Sequence, residues 1–490
     1  MDFVSRFVKE QKRYTKSELR ELFEFSESEV ETFLRQLKAY GVVKTVKATA
    51  QQRDLSDLTD EDLIVSDETA PSGECFYVFS YVGILTAMKR VIKCFPKYIF
   101  ASAEPTDDLK IILKVLQRYG SKEQIVTLYH GEDQGNGFNI LAVMLYLLND
   151  FHQYGAYTNE EDVIERNGEG PILWDRTISN GFAIISNNRP YYIDYVTSRT
   201  LDDDFDYFHR LHLSVVSLCS RQLQEAGILS LFDMVPAEVS DEKIEEFGET
   251  DYVLYRIQSE LNIQFNTHKQ ILLKTLYAFI ANARTLEDNT GISMYGTTSF
   301  NLVWEQVCAE VFHSKLKMQL RHLHLPSGVI YPYSQTSTLL EIIEKPKWTG
   351  KTDQGISFTK VAADTLIPDL VSIHEINGQT ALVIMDAKYY CIQLAEDKVL
   401  RGQPGIGDLT KQYLYQLAYK EFLEIHNINI VRNCFLMPTE SDMVVHKGEA
   451  YLNMLDNLGL QRIQIRLLPA RLMYDHYLRR RPVSIDYLCL

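Results

Sequence analysis

The residues best suited to chemistry lie in one stretch, IPDLVSIHEI-NG-QTALVIMDAKYY, residues 367–390. Asn377-Gly378 between two alternating apolar runs predicts a hairpin, because a type I′ turn needs positive φ at both central residues. With those two residues as the loop, the register sets Asp369 opposite Asp386. Directly opposed residues share a face, with Cβ atoms roughly 4.5–5.5 Å apart. Lys388, two residues beyond Asp386, projects from the same face. Two carboxylates and an ammonium therefore converge at the open end of the hairpin. Facing carboxylates repel unless something positive sits between them. A divalent cation does that, and hard oxygen ligands select Mg2+ or Mn2+. The lysine can then orient or deprotonate an attacking water, or neutralise developing charge. The chemistry this predicts is metal-assisted phosphodiester hydrolysis. In the blander reading, Asp369 follows Pro368 as a turn residue and Lys388 merely pairs with Asp386 at a strand end. The Pro-Asp pair, the turn and the register together favour the catalytic reading.

The flanks add candidates. Glu305, in FNLVWEQVCAEVF, lies on an amphipathic helix before the hairpin and could offer a further metal ligand; Glu310 on the same helix competes with it. Gln412 and Gln416 stand at i, i+4 on a later helix, so one face presents both amides. Asp408, after Gly405-Ile-Gly407, is a candidate N-cap that would aim free N–H groups at a phosphate. HSKLKMQLRHLHL (313–325) carries Lys315, Lys317, Arg321 and three histidines with no acid, so it is either a DNA-facing strip or an ordinary basic helix face.

The elements that must position these residues follow from the rest of the chain. It has 490 residues, 46% of them hydrophobic, which excludes general disorder and suggests about three domains. Net charge is −16, so the surface as a whole will not coat nucleic acid. The start lacks the apolar core of a signal peptide, and no uncharged apolar window is long enough to span a membrane. Seven scattered cysteines without a CxxC pair fit reduced thiols in a cytoplasmic protein. Residues 1–50 read as three helices (Asp2–Gln11, Ser17–Phe23, Ser28–Tyr40) and a strand, the order of a winged helix. Glu27, Glu29 and Glu31 open the third helix and would face phosphates, which favours protein contact there. Residues 51–285 read as a mixed strand and helix region. It starts with an acidic stretch (54–68) predicted to be a solvated linker, has a loop at 130–136, and ends in a long helical stretch over 252–284. Residues 286–490 read as an α/β unit. Its predicted elements are a helix over 300–323, strands at VIYPY, TLLEIIEK, the hairpin, INIVRNCFLM and IQIRLLP, and a helix over 408–425. The fold class expected is multidomain α/β (α+β).

Trp304-Glu305, Pro368-Asp369, Asp386-Ala-Lys388 and Tyr415-Gln416-Leu417-Ala-Tyr419 resemble the PD-(D/E)xK nucleases, in the McrC-like branch of modification-linked restriction enzymes. YGVVKTVKA, FSYVGILTAMKRVIKCFPKYI and ILWDRTI are similar to the LlaJI restriction-endonuclease family within that branch. The resemblance implies Glu305, Asp369 and Asp386 as ligands of Mg2+ or Mn2+, Lys388 as the catalytic lysine and Gln416 as a helix-borne polar group of the site. It implies double-stranded DNA as substrate and a separate McrB-like AAA+ NTPase as partner, docked by the middle region. Gln416 and Tyr419 are three apart, where RecB-like relatives have four. No GxxxxGK[ST] loop occurs in the chain.

Two rivals share some of these features. A repair or junction nuclease would use the same core chemistry without the NTPase, and a winged-helix adaptor would carry a broken metal set. A zinc site at His209-x-x-His212 or His322-x-His324 lacks a complementary ligand pair.

Overall fold

A computed structural model describes residues 4–47, 75–88, 90–120, 140–158, 160–187, 189–202, 206–287 and 292–490. The acidic stretch 54–68 and the loop 130–136 lie outside these residues. The chain forms two compact units, one drawn mainly from Gly135–Ser293 and the other from Val4–Thr86, Arg90–Gln134 and Met294–Leu490. The architecture is mixed α/β, as expected. Among the described residues no helix is long and apolar enough to cross a membrane.

The second unit is built around a five-stranded mixed sheet. Its order is Leu370–Ile376, Gln379–Ala387, Ile430–Thr439, Ile463–Pro469, Val445–Ala450. The first two strands form the predicted hairpin. Ile376 pairs with Gln379 and Leu370 with Met385, the register expected. Asn377 and Gly378 adopt φ of 51° and 74°, as a type I′ turn requires. The next two strands run parallel to the hairpin's second strand, and the helices Ile406–Ala418 and Lys420–Ile425 make the crossover that a parallel pair needs. Val371, Ile373, Leu382 and Ile384 on one face of the hairpin pack against Tyr415, Tyr419 and Phe422 from those helices. By period-2 alternation, Asp369 and Asp386 continue that same face past the end of the core.

The same unit takes in the N-terminal residues. Lys16–Phe23 and Glu27–Ala39 are helices, each opened by a capping box, Thr15 with Glu18 and Ser26 with Glu29. Glu27 and Glu31 lie 2.6 and 2.7 Å from Lys16 Nζ, so cap and ion pairs engage all three glutamates locally. The helix predicted over Asp2–Gln11 is instead the strand Val4–Lys9, parallel to Arg90–Phe95. Phe3/Phe7 and Val4/Val8 mimic a helical i, i+4 repeat, and a distant strand that the local pattern cannot see overrides it. Among the described residues two helices, not three, therefore precede the strand Val43–Lys47, which pairs with Cys75–Phe79.

Three further expectations in the C-terminal region change. The helix from Phe300 ends at Val311, and His313 follows at φ 49° in the left-handed region that closes helices. The basic segment 313–325 is thus turns and a short 3-10 segment rather than a helix face. TLLEIIEK forms the one-turn helix Leu339–Ile342, because Thr338 and Glu341 make a capping box. VIYPY is not a strand, since Pro332 cannot donate to a ladder.

The first unit is mainly helical, with Ile140–Tyr154, Tyr207–Glu225, Thr250–Ile263 and Thr267–Glu287. The long helical stretch expected there breaks between the last two. Beside them stand two antiparallel pairs, Glu160–Arg166 with Val196–Asp202 and Ala183–Ser186 with Arg189–Tyr192.

Candidate active site

Asp369 stands immediately before the hairpin ladder, and its Oδ2 accepts from Ala387 N at 2.9 Å. The carboxylate thereby replaces the next rung of the ladder and is held beside Asp386, which is 2% exposed. Lys388 leaves the same strand end with its Nζ 2.8 Å from Asp386 Oδ2 and 2.9 Å from Asp408 Oδ1. The expected trio is therefore assembled, with a fourth member added. Asp408 is not the N-cap, which is Gly405; it sits in the first turn of helix Ile406–Ala418. There its charge complements the helix dipole and meets the lysine. An acid in the first helical turn was the signal available for it.

Electrostatics follow from burial. Burial, the neighbouring Asp386 and Glu305 hold the Asp369 carboxyl well above the usual carboxylate range. Burial and the Asp386 charge raise Glu305 as well. Burial works against the Lys388 ammonium, but Asp386 and Asp408 outweigh it and hold its proton above the ordinary lysine value. The arrangement of carboxylates thus favours the charged form of Lys388. Burial, Asp386 and Asp369 also push up the Tyr415 hydroxyl, which donates to Ile367 O at 3.0 Å.

The structure separates the two acids on helix Phe300–Val311. Glu310 is exposed and lies 2.5 Å from Arg118 Nη2. Glu305 is half-buried and faces the charge of Asp386. The preceding Trp304 is buried, and its indole N–H donates to Leu436 O at 3.1 Å. The Lys388 backbone N–H donates to that same carbonyl at 2.9 Å. Trp304 therefore locks the strand end from which the lysine projects.

Gln416 is not brought to the carboxylates. Its Oε1 accepts from Asn433 Nδ2 at 2.9 Å and from Gln461 N at 3.0 Å. Gln412 instead donates to Ile384 O at 3.1 Å, two residues before Asp386. Of the basic segment, Lys315 donates to Ile373 O at 2.9 Å and ties down the first hairpin strand. In the first unit, His209 and His212 pin Tyr157. The Tyr157 N–H donates to His212 Nδ1 at 2.9 Å, and its carbonyl lies 2.9 Å from His209 Nδ1. That local role accounts for the His-x-x-His spacing without zinc.

The LlaJI restriction endonuclease family matches residues 81–466. The chain is 25% identical over 417 residues to the Type II restriction enzyme BsuMI component YdjA of Bacillus subtilis (strain 168), covering 84% of this chain and 83% of that protein. Among solved structures it is similar to the half-complex of Thermococcus gammatolerans McrB AAA+ hexamers with bound McrC. That similarity is at 12% identity and a TM-score of 0.36, over 97% of this chain and 99% of that chain. The cryo-EM structure of the Thermococcus gammatolerans McrBC complex is similar at 13% identity and a TM-score of 0.22, over 56% of this chain and 79% of that chain. A family whose description spans most of the sequence and encloses the carboxylate hairpin settles the assignment: the chain belongs to the LlaJI restriction endonuclease family.

Proposed function

We propose that the chain is the metal-dependent endonuclease subunit of an McrBC/LlaJI-like restriction system, hydrolysing DNA phosphodiester bonds when activated by an McrB-like AAA+ NTPase. The observation that carries this reading is the register-opposed pair Asp369–Asp386 with Lys388 held beside it. The residues fit a divalent cation. Asp386 Oδ2 is buried beside a second carboxyl group, and its near partner among the described residues is the Lys388 ammonium at 2.8 Å. Among the described residues no group of three or more His, Cys, Asp or Glu encloses a metal. The fit is therefore to an open site of two carboxylates, with Glu305 at its edge. Mg2+ suits it, because it keeps several waters and takes one or two protein carboxylates. When bound, the cation offsets the carboxylate repulsion and makes a coordinated water more acidic.

The protein groups then divide the work. Asp369 and Asp386 fix the scissile phosphate's surroundings from one rigid hairpin end. Lys388, kept protonated, stabilises the negative charge that gathers on the phosphate oxygens. Asp408 positions that ammonium, and Trp304 positions its backbone. Double-stranded DNA is the substrate. The partner assignment is supported by the McrC-like motif set and by the net charge of −16, which leaves most of the DNA affinity to another chain. The PD-(D/E)xK core and a winged-helix N-terminal region belong to the same proposal.

The test is plasmid cleavage by the full chain with its partner NTPase, Mg2+ and nucleotide. Asp386→Ala and Asp369→Ala should abolish cutting while the protein remains folded. Full cleavage by Asp386→Ala would end the nuclease assignment.

A further inference from the structure

One element of the second unit serves neither the core nor the carboxylate site. Lys347–Lys351 and Ser357–Val361 form an antiparallel ribbon whose strands pair only with each other among the described residues. Every residue of the two strands is exposed except Gly350, which is half-buried. Neither strand contains an acid. The stretch 345–361 carries Lys345, Lys347, Lys351 and Lys360 against the single acid Asp353, in a chain whose net charge is −16. Among the described residues, Glu344 draws off Lys347, and Lys360 lies over the Phe358 ring.

The register sorts the side chains into two faces. Trp348 pairs with Lys360 and Gly350 with Phe358, so these four share one face. Gly350 leaves room for the Phe358 ring to lie over the strand, since a Cβ there would stand 2.8 Å from it. Trp348 is 71% exposed. The other face presents Lys347, Lys351 and the hydroxyls of Thr349 and Thr359, which lie 3.0 Å apart. Lysines on a lone ribbon can be simple protection against edge pairing. A largely bare tryptophan beside Lys360 works against that purpose, because it adds apolar surface where aggregation would start. Lysines and hydroxyls with an interleaved aromatic are the groups that contact phosphates and bases, and a two-stranded ribbon is one of the shapes the DNA major groove admits.

The ribbon's base is fastened next to the site. Ala362 N donates to Pro346 O at 2.8 Å, and Thr365 Oγ1 donates to Glu344 O at 2.8 Å. The Tyr415 hydroxyl donates to Ile367 O at 3.0 Å, two residues before Asp369. Val361 and Asp369 are eight residues apart. Even fully extended chain keeps them within roughly 28 Å, less than a helical turn of DNA at about 34 Å.

We propose that this ribbon binds double-stranded DNA beside the carboxylate hairpin, with its lysines on phosphates and Trp348 against the groove. The proposal rests on the nuclease reading above. The test uses the full chain, a fluorescent duplex of about three helical turns, and metal-free buffer across a salt series. Lys345→Ala/Lys351→Ala/Lys360→Ala should weaken binding about tenfold or more and reduce the salt slope by roughly 0.9 per lysine. The matching triple arginine variant should bind like the wild type, and Trp348→Ala should weaken binding without changing the slope. Far-UV circular dichroism checks that the variants fold. The ribbon assignment is overturned by wild-type affinity in the triple alanine variant, or by no duplex binding of the wild type at low salt. Loss of a protein partner with duplex binding intact would overturn it too, by making the ribbon a protein-docking surface. If the variants lose duplex binding but the wild type cuts nothing even with its partner, the ribbon stands and the nuclease reading falls. If the wild type cuts and the triple alanine variant binds and cuts equally, only the ribbon falls.

Discussion

Lys388 sits between Asp386 and Asp408, and that placement decides which role an ammonium can play. Two carboxylates within 3 Å favour its protonated form, which supports the proposed role as a stabilising charge over proton abstraction from water. Lys388→Ala should therefore lose cleavage and keep divalent-cation binding in calorimetry, because an ammonium is no ligand. Loss of cation affinity would instead mark a structural ion pair. Asp369 is the reverse case: burial and Asp386 disfavour its charge. Asp369→Asn should leave the metal-free melting temperature level or raise it, since the substitution removes a like-charge conflict. A drop of several degrees would show that the carboxylate itself contributes to stability, since the asparagine oxygen can still accept from Ala387 N. In the other unit, burial first, and then His209 and His268, depress buried His212 from 6.5 to about 4. The unfolded chain takes up its proton first as pH falls, so stability from the neutral ring is present above 6.5 and is lost progressively towards about 4. His212→Asn, whose amide oxygen can accept the same Tyr157 N–H, should flatten the fall in melting temperature over that window. An unchanged pH profile would remove His212 as its cause.

At the scale of elements, the strand end that carries Lys388 is braced from two sides. Trp304 holds Leu436 O, and the next residue, Tyr389, is buried with its hydroxyl donating to the Glu10 carboxylate. Glu10 also accepts from Lys97 N at 3.1 Å, and the Tyr98 and Phe300 rings flank Tyr389. Tyr389→Phe keeps the ring but leaves a buried carboxylate short of a donor, at a cost of about 1–3 kcal/mol. Urea unfolding measures this, and a change near zero would show that the strut carries no load. The sequence made some elements legible and hid others. The capping box Thr338-x-x-Glu341 was readable as a helix start, yet the apolar run after it suggested a strand. Val4–Lys9 had no comparable local marker, because its strand character depends on Arg90–Phe95, far away in sequence.

For the whole molecule, the unit that holds the carboxylates also contains the N-terminal strand and helices. A fragment beginning near residue 286 would lose Glu10 and Tyr98 from beside Tyr389 and Tyr474, where the Tyr98 and Tyr474 hydroxyls lie 3.0 Å apart. That fragment should melt well below the full chain, so truncation is a poor way to isolate the nuclease. Partner dependence is better tested on the intact protein. Cutting should require the AAA+ partner and nucleotide hydrolysis, and binding by this chain alone should be weak, since few phosphates are neutralised. Efficient, sequence-specific cutting with Mg2+ alone would replace the McrC-like reading with a self-sufficient nuclease.

The sequence by itself determined the hairpin, its register and hence the meeting of Asp369, Asp386 and Lys388. Those follow from turn chemistry and period-2 alternation, which act over a few residues, and a slip of one residue would bury the wrong face. Tertiary structure decided which acid of helix Phe300–Val311 faces the site, since Glu305 and Glu310 differ only in what packs against them. It also turned Asp408 from a cap into the lysine's second partner and committed Gln416 to Asn433 and Gln461. Those contacts join residues 17 or more positions apart. Their energy comes from how a crossover helix seats on the sheet, and local residue patterns carry no information about that seating.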